Sequence, residues 1–161
     1  LSVVRLIDIF VARSIVELLN SVIIVLISGL LIILYASDYH IRNMSGVVFS
    51  VLLSYILGIS TGFIFGVGGL MVPIVSIVGF VVIPVYWVTS GILFIPDAIP
   101  AEFRSALYFF PLSHIVDFCR MEFYTNYMTD FADLTYVYMI VALNILLALI
   151  TLRFMRNNIS L

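Results

Sequence analysis

Between residues 109 and 124 the sequence reads FFPLSHIVDFCRMEFY and sets Ser113, His114, Asp117, Arg120 and Glu122 among aromatic and aliphatic neighbours. Serine, histidine and an acid are the parts of a nucleophilic site, and histidine with an acid begins a metal site. The spacing fits neither. Adjacent side chains on a helix point about 100° apart, so His114 is badly placed to take a proton from Ser113. No second nucleophile lies in a nearby motif, and no third His, Cys or acid arrives at ligand spacing. No catalytic residue and no metal ligand are therefore expected. Steps of three residues instead put His114, Asp117 and Arg120 near one another on one helical face, where Asp117 is expected to pair with both. Pro111 is a good opening residue for that helix, and about 13 residues follow to Phe123.

The elements around this stretch must suit a chain that is 64% hydrophobic and 10% charged, with a mean hydropathy of +1.28. Such values fit a lipid solvent rather than a soluble core. Four apolar blocks stand out, at residues 14–35, 46–66, 72–95 and 134–152. Each approaches the roughly 20 residues a helix needs to cross about 30 Å of hydrocarbon. The expected fold is all-α and integral to the membrane: a single domain of four transmembrane helices, with a re-entrant or interfacial helical segment before the last span. A short uncharged turn near residues 67–71 makes the second and third blocks antiparallel neighbours.

Residues 1–13 form a charged amphipathic lead-in with no initiator Met, unlike a signal peptide, so the sequence is expected to begin inside a longer protein. All seven basic residues are Arg. A phosphate-binding P-loop ends in Gly-Lys-Ser/Thr, so this chain carries no Walker A site of its own. A net charge of −2 offers nothing to nucleic acid, and the single Cys119 closes no intrachain disulfide. Arg5 and Arg13 precede the first block, and Arg153 and Arg156 follow the last. Arginine enrichment on cytoplasmic flanks places both ends in the cytoplasm.

Within the second block Gly46, Ser50, Ser54, Gly58, Gly62 and Gly66 fall four apart and form a ridge of small residues. Small residues let helix backbones approach in lipid, so this face is expected to meet another helix, for packing or to line a path. Pro84 predicts a bend or break in the third block, again for packing or for a pathway. Glu17, with Asn20 one turn on, is either an interfacial partner of Arg13 or a pathway residue. The 111–123 segment is too short to cross a bilayer and too apolar to lie free in water. A re-entrant or interfacial helix on the non-cytoplasmic side satisfies both constraints.

The pattern Pro111-x-x-His114-x-x-Asp117-x-x-Arg120, preceded by Ser90-Gly91-x-x-Phe94 and Ile99-Pro100-Ala101, resembles the C-terminal part of the membrane subunit of type-2 ABC exporters. It looks most like the capsular polysaccharide export permeases, whose relatives move O-antigen and teichoic acid chains. The lead-in from Val4-Arg5 through Arg13 to Glu17 resembles the stretch where the third span of those permeases leaves the cytoplasm. Two positions depart from the common pattern: Phe110 stands where many relatives have Asn, and Asp117 where they have Glu.

The resemblance implies a permease of the bacterial inner membrane that dimerises with a second copy and moves a lipid-linked glycan. It implies a separate ABC ATPase, which holds the ATP and magnesium, so that this chain is no enzyme and has no cofactor of its own. Periplasmic and outer-membrane export components are further partners of such systems. By the same likeness residues 96–124 cap the channel on the outer side. Within the gate segment, which includes Phe110 and Pro111, His114, Asp117 and Arg120 then hold the gate's shape, and Tyr108, Phe109, Phe110 and Phe123 face sugar or lipid or serve as interface-belt aromatics. The missing front would contain an amphipathic helix, two spans and most of the loop that touches the ATPase. Two alternatives remain: a type-2 exporter of drugs or small lipids, and a non-transport membrane assembly module.

Overall fold

The computed structural model describes residues 6–35 and 41–158, and every regular element among them is helical. The chain divides into two units, residues 1–40 and 41–161. The first unit is a single helix, α1 (Leu6–Tyr35), whose Asp8–Ile32 segment has a mean hydropathy of 2.5. Glu17 pairs there with Arg13 at 2.5 Å, one turn away. Ser14 and Ser21 return their hydroxyls to the carbonyls of Phe10 and Glu17, which satisfies them within the helix. Arg5 and Val4 lie outside the described residues, as does most of the connector that follows α1.

The second unit is built on α2 (Met44–Met71), a helix about 42 Å long by the usual rise per residue. It runs through residues 67–71, which were expected to turn. Gly68 and Gly69 do not stop it, because a Cβ at either would meet Val75 or Ser76 of the next helix closely; these glycines are close-packing positions. The turn is Val72 alone, in extended conformation at φ −135°, with Pro73 as the first residue of α3 (Pro73–Thr89). Gly79 of α3 packs against Phe65, so α2 and α3 are antiparallel neighbours as the sequence indicates.

The third apolar block differs from its expected extent. α3 has 17 residues, about 25 Å, and stops at Thr89 rather than 95. It is continuous across Pro84, because a proline removes one rung of the ladder without obliging the chain to leave the helix. The break comes at Gly91, whose φ of +79° lies in the left-handed region that favours glycine. Among the described residues three helices are long and apolar enough to cross a membrane: Asp8–Ile32, Met44–Met71 and Leu134–Phe154. The chain is thus an all-α integral membrane protein.

A 3₁₀ turn (Pro96–Ala98) and α4 (Ala101–Leu107) lead into α5 (Pro111–Phe123), and α6 (Leu134–Asn158) ends the fold. α5 runs antiparallel to the first half of α2. The amides of Arg42 and Asn43 donate to the carbonyls of Phe123 and Glu122, while Ile115 sits with Leu53 and Leu57. α6 completes this core with Val137 and Val141. Further along, Asn144 donates to Thr61 at 3.4 Å, a polar tie between two apolar helices.

The small-residue ridge is divided by this packing. Gly46 and Ser50 are buried, and a Cβ on Gly46 would overlap the Glu122 side chain. Gly58, Gly62 and Gly66 have nothing within 4 Å of a Cβ position. Helical geometry gives the reason: a step of four residues overshoots a full turn by about 40°, so five steps drift roughly 200° around the axis. The face that α2 buries runs through Gly46, Ser50, Leu53, Leu57, Ser60, Phe63 and Val67, in steps of three and four.

Candidate functional site

α5 carries His114, Asp117, Arg120 and Glu122 in 13 residues, yet Pro111, Ser113, His114, Ile115 and Asp117 are all buried. It packs along α2 and α6. In such a setting each polar group needs a partner, and among the described residues no buried side-chain nitrogen or oxygen lacks one.

His114, Asp117 and Arg120 do share a face, but they do not pair with one another. Arg120 turns to the segment after α3, and Asp117 and His114 turn to residues 127–133. Asp117 accepts hydrogen bonds from the Tyr127 hydroxyl at 2.5 Å and the Thr129 hydroxyl at 2.6 Å. Burial, and then the bond to this carboxylate, pushes the Tyr127 phenol well above its ordinary range. Arg120 donates to the carbonyls of Phe94 at 3.0 Å, Ile92 at 3.4 Å and Gly91. His114 lies with Nε2 2.9 Å from the Tyr108 carbonyl and Nδ1 3.2 Å from the Asp133 amide. A neutral ring with its proton on Nε2 satisfies both, donating to one and accepting from the other. The Phe131 carbonyl is also 3.0 Å from Nδ1.

The expected pairing of Asp117 with both neighbours is therefore corrected, and the reason is backbone accounting. Residues 90–94 and 124–133 are irregular chain laid against α5, so their carbonyls and amides have no ladder to join. Arg120 and His114 satisfy some of those groups directly, and Asp117 is satisfied by the hydroxyls of Tyr127 and Thr129.

Aromatic rings close the cluster. His114 stacks on Phe131 with centroids 4.7 Å apart and meets the edge of Tyr108 at the same distance. The Arg104 guanidinium lies 5.7 Å from the Phe131 ring centre and pairs with Asp97 at 2.5 Å. Tyr86 meets Phe110 edge-on at 6.0 Å. Of the proposed sugar-facing or lipid-facing aromatics, Phe109 is 76% exposed and Tyr108 is 42% exposed, whereas Phe123 is half-buried.

Asp133 caps α6. Its carboxylate accepts the amides of Thr135 at 2.9 Å and Tyr136 at 3.1 Å and the Tyr108 hydroxyl at 3.2 Å. The Tyr136 amide chiefly, aided by those other donors, holds the carboxyl below its ordinary range against an opposing effect of desolvation. A depressed folded-state pKa contributes stability that is present above the unfolded value, about 3.9, and is lost as pH falls through the folded one. Acidification below pH about 4 is accordingly expected to lower the thermal stability of the purified protein, and Asp133→Asn to flatten that dependence while keeping a capping oxygen. An unchanged acid limb in the Asn variant would remove Asp133 from this role.

Tyr127, Thr129, Phe131 and Asp133 were not singled out by the sequence, and only Asp133 carried a signal, as an acid directly before a helical run.

No family model matches the chain. Two curated proteins, each a polysialic acid transport protein KpsM from Escherichia coli, are 27% identical to it over 147 residues, covering 91% of this chain and 57% of each relative. The chain thus spans little more than half the length of the curated relatives it matches. Its likeness to the capsular polysaccharide class of type-2 ABC exporter permeases, drawn from the Pro111 to Arg120 pattern, is supported by a match that runs over nearly the whole chain.

Proposed function

We propose that this chain is the membrane-embedded part of a permease subunit that exports a lipid-linked, capsular-type polysaccharide across a bacterial inner membrane. The observation that carries this reading is the similarity to polysialic acid transport proteins over 91% of the chain. ATP hydrolysis with magnesium takes place on a separate ATPase subunit, and two permease copies assemble around the path. Both ends of the chain lie in the cytoplasm, and the glycan passes on to periplasmic and outer-membrane components.

In this reading α3 makes a fourth crossing and α5 is a re-entrant gate element on the outer side. Two features support it: α5 lies beside the first half of a membrane-length helix, and its polar groups are satisfied by protein. Phe109 and Tyr108 offer exposed faces on which sugar rings can stack without strong sequence preference. Deleting the gene in the native host tests the reading: polymer should accumulate inside the cell on its lipid carrier, and normal surface polymer in the deletion strain would overturn it.

The open glycines of α2 give a separate expectation. A Cβ at Gly62 has nothing within 4 Å among the described residues, so in Gly62→Leu folding should persist while assembly of two copies is lost. Cross-linking in membranes reads the outcome, and normal assembly with normal export would mean that this face meets lipid.

A further inference from the structure

Arg120 occupies the last turns of α5, and its guanidinium reaches the segment that ends α3. It donates to Gly91, Ile92 and Phe94, three carbonyls of one turn. That turn is held internally as well: Ser90 is fully buried, its hydroxyl donates to the Trp87 carbonyl at 2.7 Å and accepts the Ile92 amide at 3.3 Å, and Gly91 reverses the chain at φ +79°. The Tyr86–Phe110 edge contact, which also joins α3 to α5, lies at the opposite end of α5. The other side of α5 is tied just as firmly. Asp117 holds Tyr127 and Thr129, and His114 accepts the amide of Asp133, the residue that caps α6.

We infer that Arg120 is a positioning residue that couples the end of α3 to the start of α6 through α5, so that a displacement at one is delivered to the other. The connection between α3 and α5 contains irregular stretches on either side of the 3₁₀ turn and α4, and without a direct tie these would absorb such a movement. A planar guanidinium fixed on three carbonyls prevents that, because its several donors define an orientation as well as a distance. What the movement serves rests on the permease reading: the gate and the last span would shift together.

Hydrogen exchange on the purified full-length protein in detergent tests the coupling without ATP or glycan, so its outcome is separable from that of the permease reading. Arg120→Ala should speed exchange about tenfold both at residues 90–94, which it touches, and at residues 133–137, which it does not. Arg120→Lys should restore part of the protection at both, since one ammonium can serve one or two of the carbonyls. Gly91→Ala attacks the same turn from the other side and should loosen the same two segments, which keeps the test intact if Arg120→Ala does not fold. Faster exchange at 90–94 alone would reduce Arg120 to a local tie, and unchanged exchange at both would remove it from the turn; either result overturns the inference.

Discussion

Replacing Asp117 with alanine is expected to destabilise the second unit by about 3 kcal/mol and to abolish export, while Asp130→Ala leaves both near wild type. Asp117 is fully buried and takes two short hydrogen bonds from hydroxyls. Bonds to a carboxylate are each worth roughly 1.5–3 kcal/mol, and alanine also leaves two half-buried donors without their acceptor. Asp130 is exposed in the same irregular stretch as those donors. Removing the donors instead separates the two costs: with Tyr127→Phe and Thr129→Val already in place, Asp117→Ala should cost much less than it does alone. Thermal or denaturant unfolding of the purified protein measures this, and additive losses across that cycle would mean that the three residues do not act as a unit.

The second large effect belongs to His114. His114→Phe keeps a ring of similar size to stack on Phe131, so the aromatic packing survives. The Tyr108 carbonyl and the Asp133 amide lose their partner, at roughly 1–3 kcal/mol each for buried groups. A loss of about 3 kcal/mol is expected, with the start of α6 the first segment to loosen in hydrogen exchange. His114→Ala adds a cavity and should be worse. Full stability of His114→Phe would show that stacking alone explains why a histidine is buried there.

Several elements could be read from the sequence because local chemistry fixed them. Pro111 opens α5 where it stood out as a helix start, and the expected 13 residues are those observed. The apolar runs named the long helices, since length and hydropathy are properties of composition alone. Their ends were less legible. Gly68 and Gly69 look like a turn in water, but in a membrane helix they are places where a neighbour comes close. Conversely, Gly91 marked the true end of α3 and was hidden inside an apolar run that hydropathy extended to 95.

The partners of α5 were not legible at all. Spacing showed that His114, Asp117 and Arg120 share a face, and a shared face invites the idea of mutual pairing. Which groups they meet depends on where residues 90–94 and 124–133 fold back, and irregular chain carries no periodicity to reveal that. The ridge of α2 is split for a geometric reason: a spacing of four drifts around the helix, so Gly46 meets Glu122 while Gly62 looks away from that neighbour.

We propose that this chain works as the permease of an ABC exporter. Purification of the full-length protein from native membranes in mild detergent, with identification of what accompanies it, tests this most directly. A stoichiometric partner carrying a Walker A motif is the expected result. Recovery without any ATPase, under conditions in which a known exporter complex stays whole, would contradict it and leave a membrane assembly module as the better reading.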